Sequence, residues 1–249
     1  MLNARTLLIR GMFVGVVAGI AAFVFAYFFG EGPIGDAIAF EEAHATPLPA
    51  GEHEHELVSR GVQSTIGLLT ASVVYGIALG GLFAITVAIA AGRIGRLSAR
   101  ATAGLVAVAG FVGVALVPFL KYPANPPATG NPDTLGQRTG LYFLMLVIGV
   151  AAVIGVVVVA RSLQPRLGTW NATIAATVGA AVVVGTAIAL LPSINEVPES
   201  FSPILLWQFR LASLGTQAVT WATLGLLFGY LTERSQRPAP TVAAQPVAA

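Results

Sequence analysis

Residues 139–160 read TGLYFLMLVIGVAAVIGVVVVA, with no charged side chain and no proline. As a helix this stretch is about 33 Å long at 1.5 Å per residue, slightly more than the roughly 30 Å hydrocarbon layer of a bilayer. Lipid offers the backbone no hydrogen-bond partners, so an apolar run of this length crosses as a helix that satisfies its own amides. Working outward, similar runs occupy about 7–29, 63–91, 101–120, 172–191 and 204–231. The whole chain agrees: 56% of its residues are hydrophobic and only 10% charged, with a mean hydropathy of +0.82. A soluble domain carries about 25% charged residues, so the expected fold is an all-α polytopic membrane protein with six transmembrane helices.

The first run begins between Arg5 and Arg10 and superficially resembles a secretion signal. Its 7–29 core is too long for one, and it is read as a retained helix. Residues 1–237 then form one six-helix membrane domain, with no separate soluble domain. The proline- and alanine-rich tail 238–249 has the composition of a disordered segment.

Charge sets the sidedness. Arg5, Arg10, Arg93, Arg96, Arg100, Arg161, Arg166, Arg234 and Arg237 fall on one side of the six runs, against Arg60, Lys121, Arg138 and Arg210 on the other. Basic residues accumulate in the cytoplasm, so both termini are expected there. The segment 30–62 becomes an extracytoplasmic acidic loop, and every acidic residue except Glu233 faces outward. The connection 121–138, opening KYPANPPATGNP, is expected to be a stiff external loop, since proline cannot continue a helix.

The loop 30–62 holds all three histidines, His44, His53 and His55, together with Asp36, Glu41, Glu42, Glu52, Glu54 and Glu56. Imidazole nitrogen suits cobalt, nickel and zinc, while carboxylates add oxygen donors. These nine residues are the candidate metal ligands, in a setting without thiolates that fits exchangeable capture better than a tight structural site. The simpler alternative is an acidic outer loop that happens to include histidine. The spacing is not the H-E-x-x-H of a zinc peptidase, and a P-loop motif is absent, so no enzymatic chemistry is legible. A formal charge of +2 gives no case for nucleic acid.

Two features lie within the runs. Gly11, Gly15 and Gly19, then Gly76 and Gly80, and finally Gly225 and Gly229 repeat at four-residue steps, the spacing of close helix contacts. On the last run, Arg210, Ser213, Gln217 and Thr220 share one face. This face is either a polar pathway or an interfacial arginine without a transport role, and its positive charge disfavours direct ligation of a bare divalent cation. No acidic residue falls at the middle of any run.

Several segments together resemble the CbtA family of predicted cobalt transporter subunits: LLIRGMFVGVVAGI, FFGEGPIGDAIAFEEA, HEHELVSRGVQSTIGL, VPFLKYPANPPATG and LPSINEVPESFSPILLWQFR. The matching positions include Glu31, Pro33, Asp36, Glu41, Glu42, Arg60, Lys121, Tyr122, Pro123, Asn125, Pro126, Pro127, Arg138, Pro192, Glu199, Trp207 and Arg210. The resemblance implies a bacterial or archaeal multi-pass protein of the plasma (inner) membrane, linked to cobalt uptake for cobalamin. It also implies a small single-span, histidine-bearing CbtB-type partner. The family supplies no established ligand residues, and its usual five-span description departs from the six runs of this sequence. The expected function is a non-enzymatic subunit that captures Co²⁺ outside, or Ni²⁺ or Zn²⁺, and passes it across the bilayer without a resident cofactor. The alternative is a non-permeating scaffold or metal-sensing accessory subunit.

Overall fold

The computed structural model describes residues 4–44, 58–127 and 129–236. The described chain is helical, with five helices long and apolar enough to cross a membrane. These are α1 (Ala4–Phe29), α3 (Arg60–Ala90), α4 (Ala99–Lys121), α5 (Leu135–Leu190) and α6 (Pro203–Gln236). A shorter helix, α2 (Glu31–His44), follows α1 after a turn at Gly30.

The glycine steps bring α1 and α3 into antiparallel backbone contact. A Cβ on Gly15 would lie 2.2 Å from the carbonyl oxygen of Gly76, and one on Gly76 would lie 2.3 Å from that of Gly15. Gly11 meets Gly80 in the same way, with its Cβ position 2.3 Å from the carbonyl oxygen. No other residue type fits these contacts, which let dispersion replace the hydrophobic drive that lipid cannot provide. On the other side of the bundle α6 packs antiparallel on α4, with Gly225 against Ala107 and Gly229 against Arg100. Between the two pairs, Val14, Phe83, Val87, Trp221, Leu224 and Phe228 form a buried core. Within it Phe83 meets Phe228 edge to face at 5.5 Å.

Proline perturbs α4 without ending it. Pro118 has no amide hydrogen to donate, and its ring crowds the preceding turn. The turn before it widens to a π-helix over Phe111–Leu116, a usual way for a helix to absorb an irregularity. Gly113 in that wide turn faces Gly149 of α5, where a Cβ on Gly149 would meet the Gly113 carbonyl oxygen at 2.3 Å.

Helix α5 has 56 residues and would be about 84 Å long if straight. Yet Arg138, near its start, pairs with Glu196, six residues past its end. Six extended residues reach only about 20 Å, so the helix must double back. It does so at Gly168, which has φ 72° and ψ 166° and follows Pro165 in the preceding turn. A residue with a Cβ is strained at this φ.

The segment 30–62, expected as a loop, is a helix over its first part. The stretch is polar and lies between two apolar runs, yet Pro33 sits in the first turn of α2, where a missing donor costs little. Ala37 is fully buried, and Phe40 packs edge-on against Phe201 at 5.0 Å. The stretch between the runs 139–160 and 172–191 is likewise helical up to the break at Gly168. The connection 121–138 largely keeps its expected irregular form, with a short 3₁₀ turn over Pro132–Thr134. The tail 238–249 lies outside the described residues.

The close approach of α1 and α3 is directly testable. Gly15→Val or Gly76→Val should destabilise the detergent-solubilised protein by about 1–3 kcal/mol, the usual cost of overpacking, read as a lower thermal unfolding midpoint. Gly104→Ala on α4, where an added Cβ meets nothing within 4 Å, should leave the midpoint unchanged or raise it.

Candidate functional site

The connections α4–α5 and α5–α6 meet at one end of the bundle, where α2 also packs on Phe201; with Glu31, Arg60 and Glu196 it forms the acidic end. Glu31 and Arg60 form an ion pair across the connection between α1 and α3. At the opposite end Arg100 pairs with Glu233 at 3.4 Å and stacks over Tyr230 at 5.2 Å.

A cavity of about 410 Å³ opens near the acidic end. Helix α6 contributes Arg210, Ser213 and Gln217 to its wall, α5 contributes Arg138, and the two irregular connections contribute Asn125 and Glu196. The side chains from α6 reach it because spacings of three and four residues fall on one helical face. Thr220, expected on the same face, is buried at 2% exposure and donates to the Thr216 carbonyl at 2.8 Å. It does not line the cavity.

Arg210 is held in place by neutral acceptors. Its Nη2 donates to Asn125 Oδ1 at 2.7 Å, and its Nε donates to the Ala124 carbonyl at 3.4 Å. Among the described residues no carboxylate pairs with it. Arg138 Nε, in contrast, lies 3.4 Å from Glu196 Oε2, and its Nη2 donates to the Asn131 carbonyl at 3.1 Å. Glu196 also accepts the Asn131 amide at 2.8 Å and the Thr134 hydroxyl. The Asn131 amide, then the Thr134 hydroxyl and the Arg138 charge, hold the Glu196 carboxyl below the usual glutamate range. Two further bonds tie the connections together, Tyr122 Oη to the Pro192 carbonyl at 2.8 Å and Lys121 Nζ to Ser193 Oγ at 3.0 Å. The cavity therefore presents two guanidinium groups against one carboxylate, and that carboxylate is already engaged. An unaccompanied divalent cation meets repulsion here.

Four of the candidate metal ligands lie on α2. Asp36, Glu41, Glu42 and His44 are exposed. His44 Nδ1 lies 2.8 Å from the Phe40 carbonyl and its ring stacks on Phe40 at 4.1 Å. A carbonyl partner assigns a proton to Nδ1, so in the neutral imidazole Nε2 is the acceptor. Glu41 is three residues before His44, on the same side of the helix. Among the described residues no three metal-binding side chains converge. His53, His55, Glu52, Glu54 and Glu56 lie outside the described residues.

The sequence reading reached Arg210, Ser213 and Gln217 but not the role of Glu196. Arg138 begins one helix at the acidic end, and Glu196 sits in the next connection at that end. That pairing of opposite charges was the available signal.

A family model described as probable cobalt transporter subunit (CbtA) matches residues 4–233. The chain belongs to the CbtA family. No curated protein and no solved structure matches it. Membership covers α1 through nearly all of α6, and so includes both the cavity and α2. It makes this CbtA chain a transport subunit rather than an enzyme, and its long apolar helices place it in the plasma membrane as a multi-pass protein.

The Glu196 tie has a defined pH dependence. Because the folded-state pKa is depressed, its stabilising contribution is complete at neutral pH and is lost as pH falls below the ordinary glutamate range, through the lower folded value. Deuterium uptake around Asn131 should therefore stay protected at pH 7 in the wild type and rise in Glu196→Gln. The two proteins should converge as the pH drops below the glutamate range.

Proposed function

We propose that this CbtA subunit crosses the membrane six times with both termini in the cytoplasm, gathers Co²⁺ at its outer face, and passes it inward beside a small single-span partner. The doubling-back of α5 at Gly168 supports the sixth crossing, since each arm is long enough to span the bilayer. The orientation rests on the arginine bias. The acidic end, with α2 and the cavity, is then extracytoplasmic.

The observation that carries the transport reading is family membership across residues 4–233, joined to a polar cavity on α6 in an otherwise apolar bundle. In this reading the imidazole and carboxylate groups of 30–62 raise the local concentration of metal at the mouth. His44, His53 and His55 provide nitrogen, and Asp36, Glu41, Glu42, Glu52, Glu54 and Glu56 provide oxygen. The same donors would take Ni²⁺ or Zn²⁺. Arg210 acts as a charge gate rather than as a ligand.

One observation favours the second reading, a non-permeating scaffold or metal-sensing accessory subunit. Beyond Gln217, α6 continues into Trp221, Leu224 and Phe228, which are buried in the core. That core is a plug, and conduction requires it to separate.

Two measurements test these readings. The chain has no cysteine, so single cysteines report topology cleanly. Ser200→Cys should react with a membrane-impermeant thiol reagent in intact cells, whereas Ser162→Cys and Ser235→Cys should react only after lysis. Cobalt uptake should rise in cells expressing the chain with its partner and fall several-fold at limiting metal in the triple His44→Ala, His53→Ala, His55→Ala variant. Equal uptake in expressing and empty cells would favour the scaffold.

A further inference from the structure

The cavity has a recognisable chemical preference. Its volume of about 410 Å³ far exceeds the roughly 30 Å³ share of one water molecule and falls within the range of small-molecule sites. Arg210 brings a guanidinium with only neutral partners among the described residues. Carboxylates are the planar anions that a guanidinium fork matches best. Deeper in the wall, the amide oxygen of Gln217 is buried without any donor. A buried acceptor left unpaired costs free energy, so a ligand that donates a hydrogen there gains by doing so. An ammonium group would donate, but Arg210 and Arg138 against the single Glu196 make the cavity cationic and repel it. A hydroxyl donates without charge. Arg210 and Gln217 are seven residues apart, about 10 Å along the helix axis, and Gln217 leans back toward Arg210 because helical side chains tilt toward the N-terminus. The span suits an organic molecule several atoms long rather than a halide or sulfate.

We infer that the cavity between α4, α5 and α6 is a binding site for a small hydroxycarboxylate, with a carboxylate on Arg210 and a hydroxyl directed at Gln217. Such molecules chelate divalent metals through oxygen, and a complex that keeps negative charge would pass Arg210 where the bare cation is repelled. The ligand is therefore either the free hydroxycarboxylate or its divalent-metal complex. The second case rests on the transport reading proposed above, and the first does not.

The test is calorimetric titration of the full-length protein in uncharged detergent with citrate, tricarballylate, sulfate and an equimolar Co²⁺–citrate mixture. Tricarballylate has the three carboxylates of citrate without the hydroxyl. Citrate should bind more tightly than tricarballylate, and both should bind more tightly than sulfate. Arg210→Gln should weaken citrate binding about tenfold or more, the scale of one charge-assisted contact. Gln217→Leu should retain carboxylate binding but lose the preference for citrate over tricarballylate. This second variant leaves the Arg210–Asn125 contact intact and decides the matter if Arg210→Gln does not fold. Tighter binding of the cobalt mixture identifies the complex as ligand, and tighter binding of citrate alone identifies the free acid. Sulfate binding as strong as citrate, unchanged binding in a folded Arg210→Gln, or an unchanged citrate preference in Gln217→Leu would overturn the assignment. Retained citrate binding with no cobalt uptake in cells would defeat transport while leaving this site standing.

Discussion

The carbonyl oxygens of Gly15 and Gly76 each occupy space that a side chain on the opposite glycine would need. Inside a bilayer this reciprocal contact carries more of the fold than burial of apolar surface can, since lipid is as apolar as leucine. It fixes the separation of α1 and α3 and, through Val14 and Phe83, the position of the core against which α6 rests. The height of α6 then determines where Arg210 and Gln217 stand relative to Asn125 and Arg138. A contact between two hydrogen-sized side chains thus bears on the helix that lines the polar cavity.

The cavity is also stabilised asymmetrically. Glu196 collects an amide, a hydroxyl and an arginine, and so anchors the two connections at the acidic end. Arg210 receives only an amide oxygen and a backbone carbonyl. A cation satisfied by neutral dipoles retains most of its field, whereas one beside a carboxylate largely loses it. The two arginines therefore differ in kind, one serving to secure the loops and the other available to a ligand.

Much of the fold was legible because hydrocarbon permits so few backbone solutions. Apolar runs of spanning length became helices, and four-residue glycine steps became contact faces. What escaped was set by local competition. The acidic stretch 30–62 read as loop, yet proline is harmless in a first turn, and the buried Ala37 and the Phe40–Phe201 contact give α2 a surface to pack on. The polar face of α6 was correct for Arg210, Ser213 and Gln217 and ran one step too far at Thr220, whose hydroxyl is satisfied by its own helix. Glu196 stayed hidden because its partners lie some sixty residues away in sequence, a separation that helical periodicity does not encode.

The hairpin formed by α5 has its bend at Gly168 and its fastening at Arg138 and Glu196. About thirty residues of helix separate the two, a rigid arm of roughly 45 Å. Leverage follows from that length: tilting the arm by about 5° about the bend displaces its far end by some 4 Å. The Gly113–Gly149 contact pins the arm at mid-length, so such a tilt carries α4 with it and moves two walls of the cavity together.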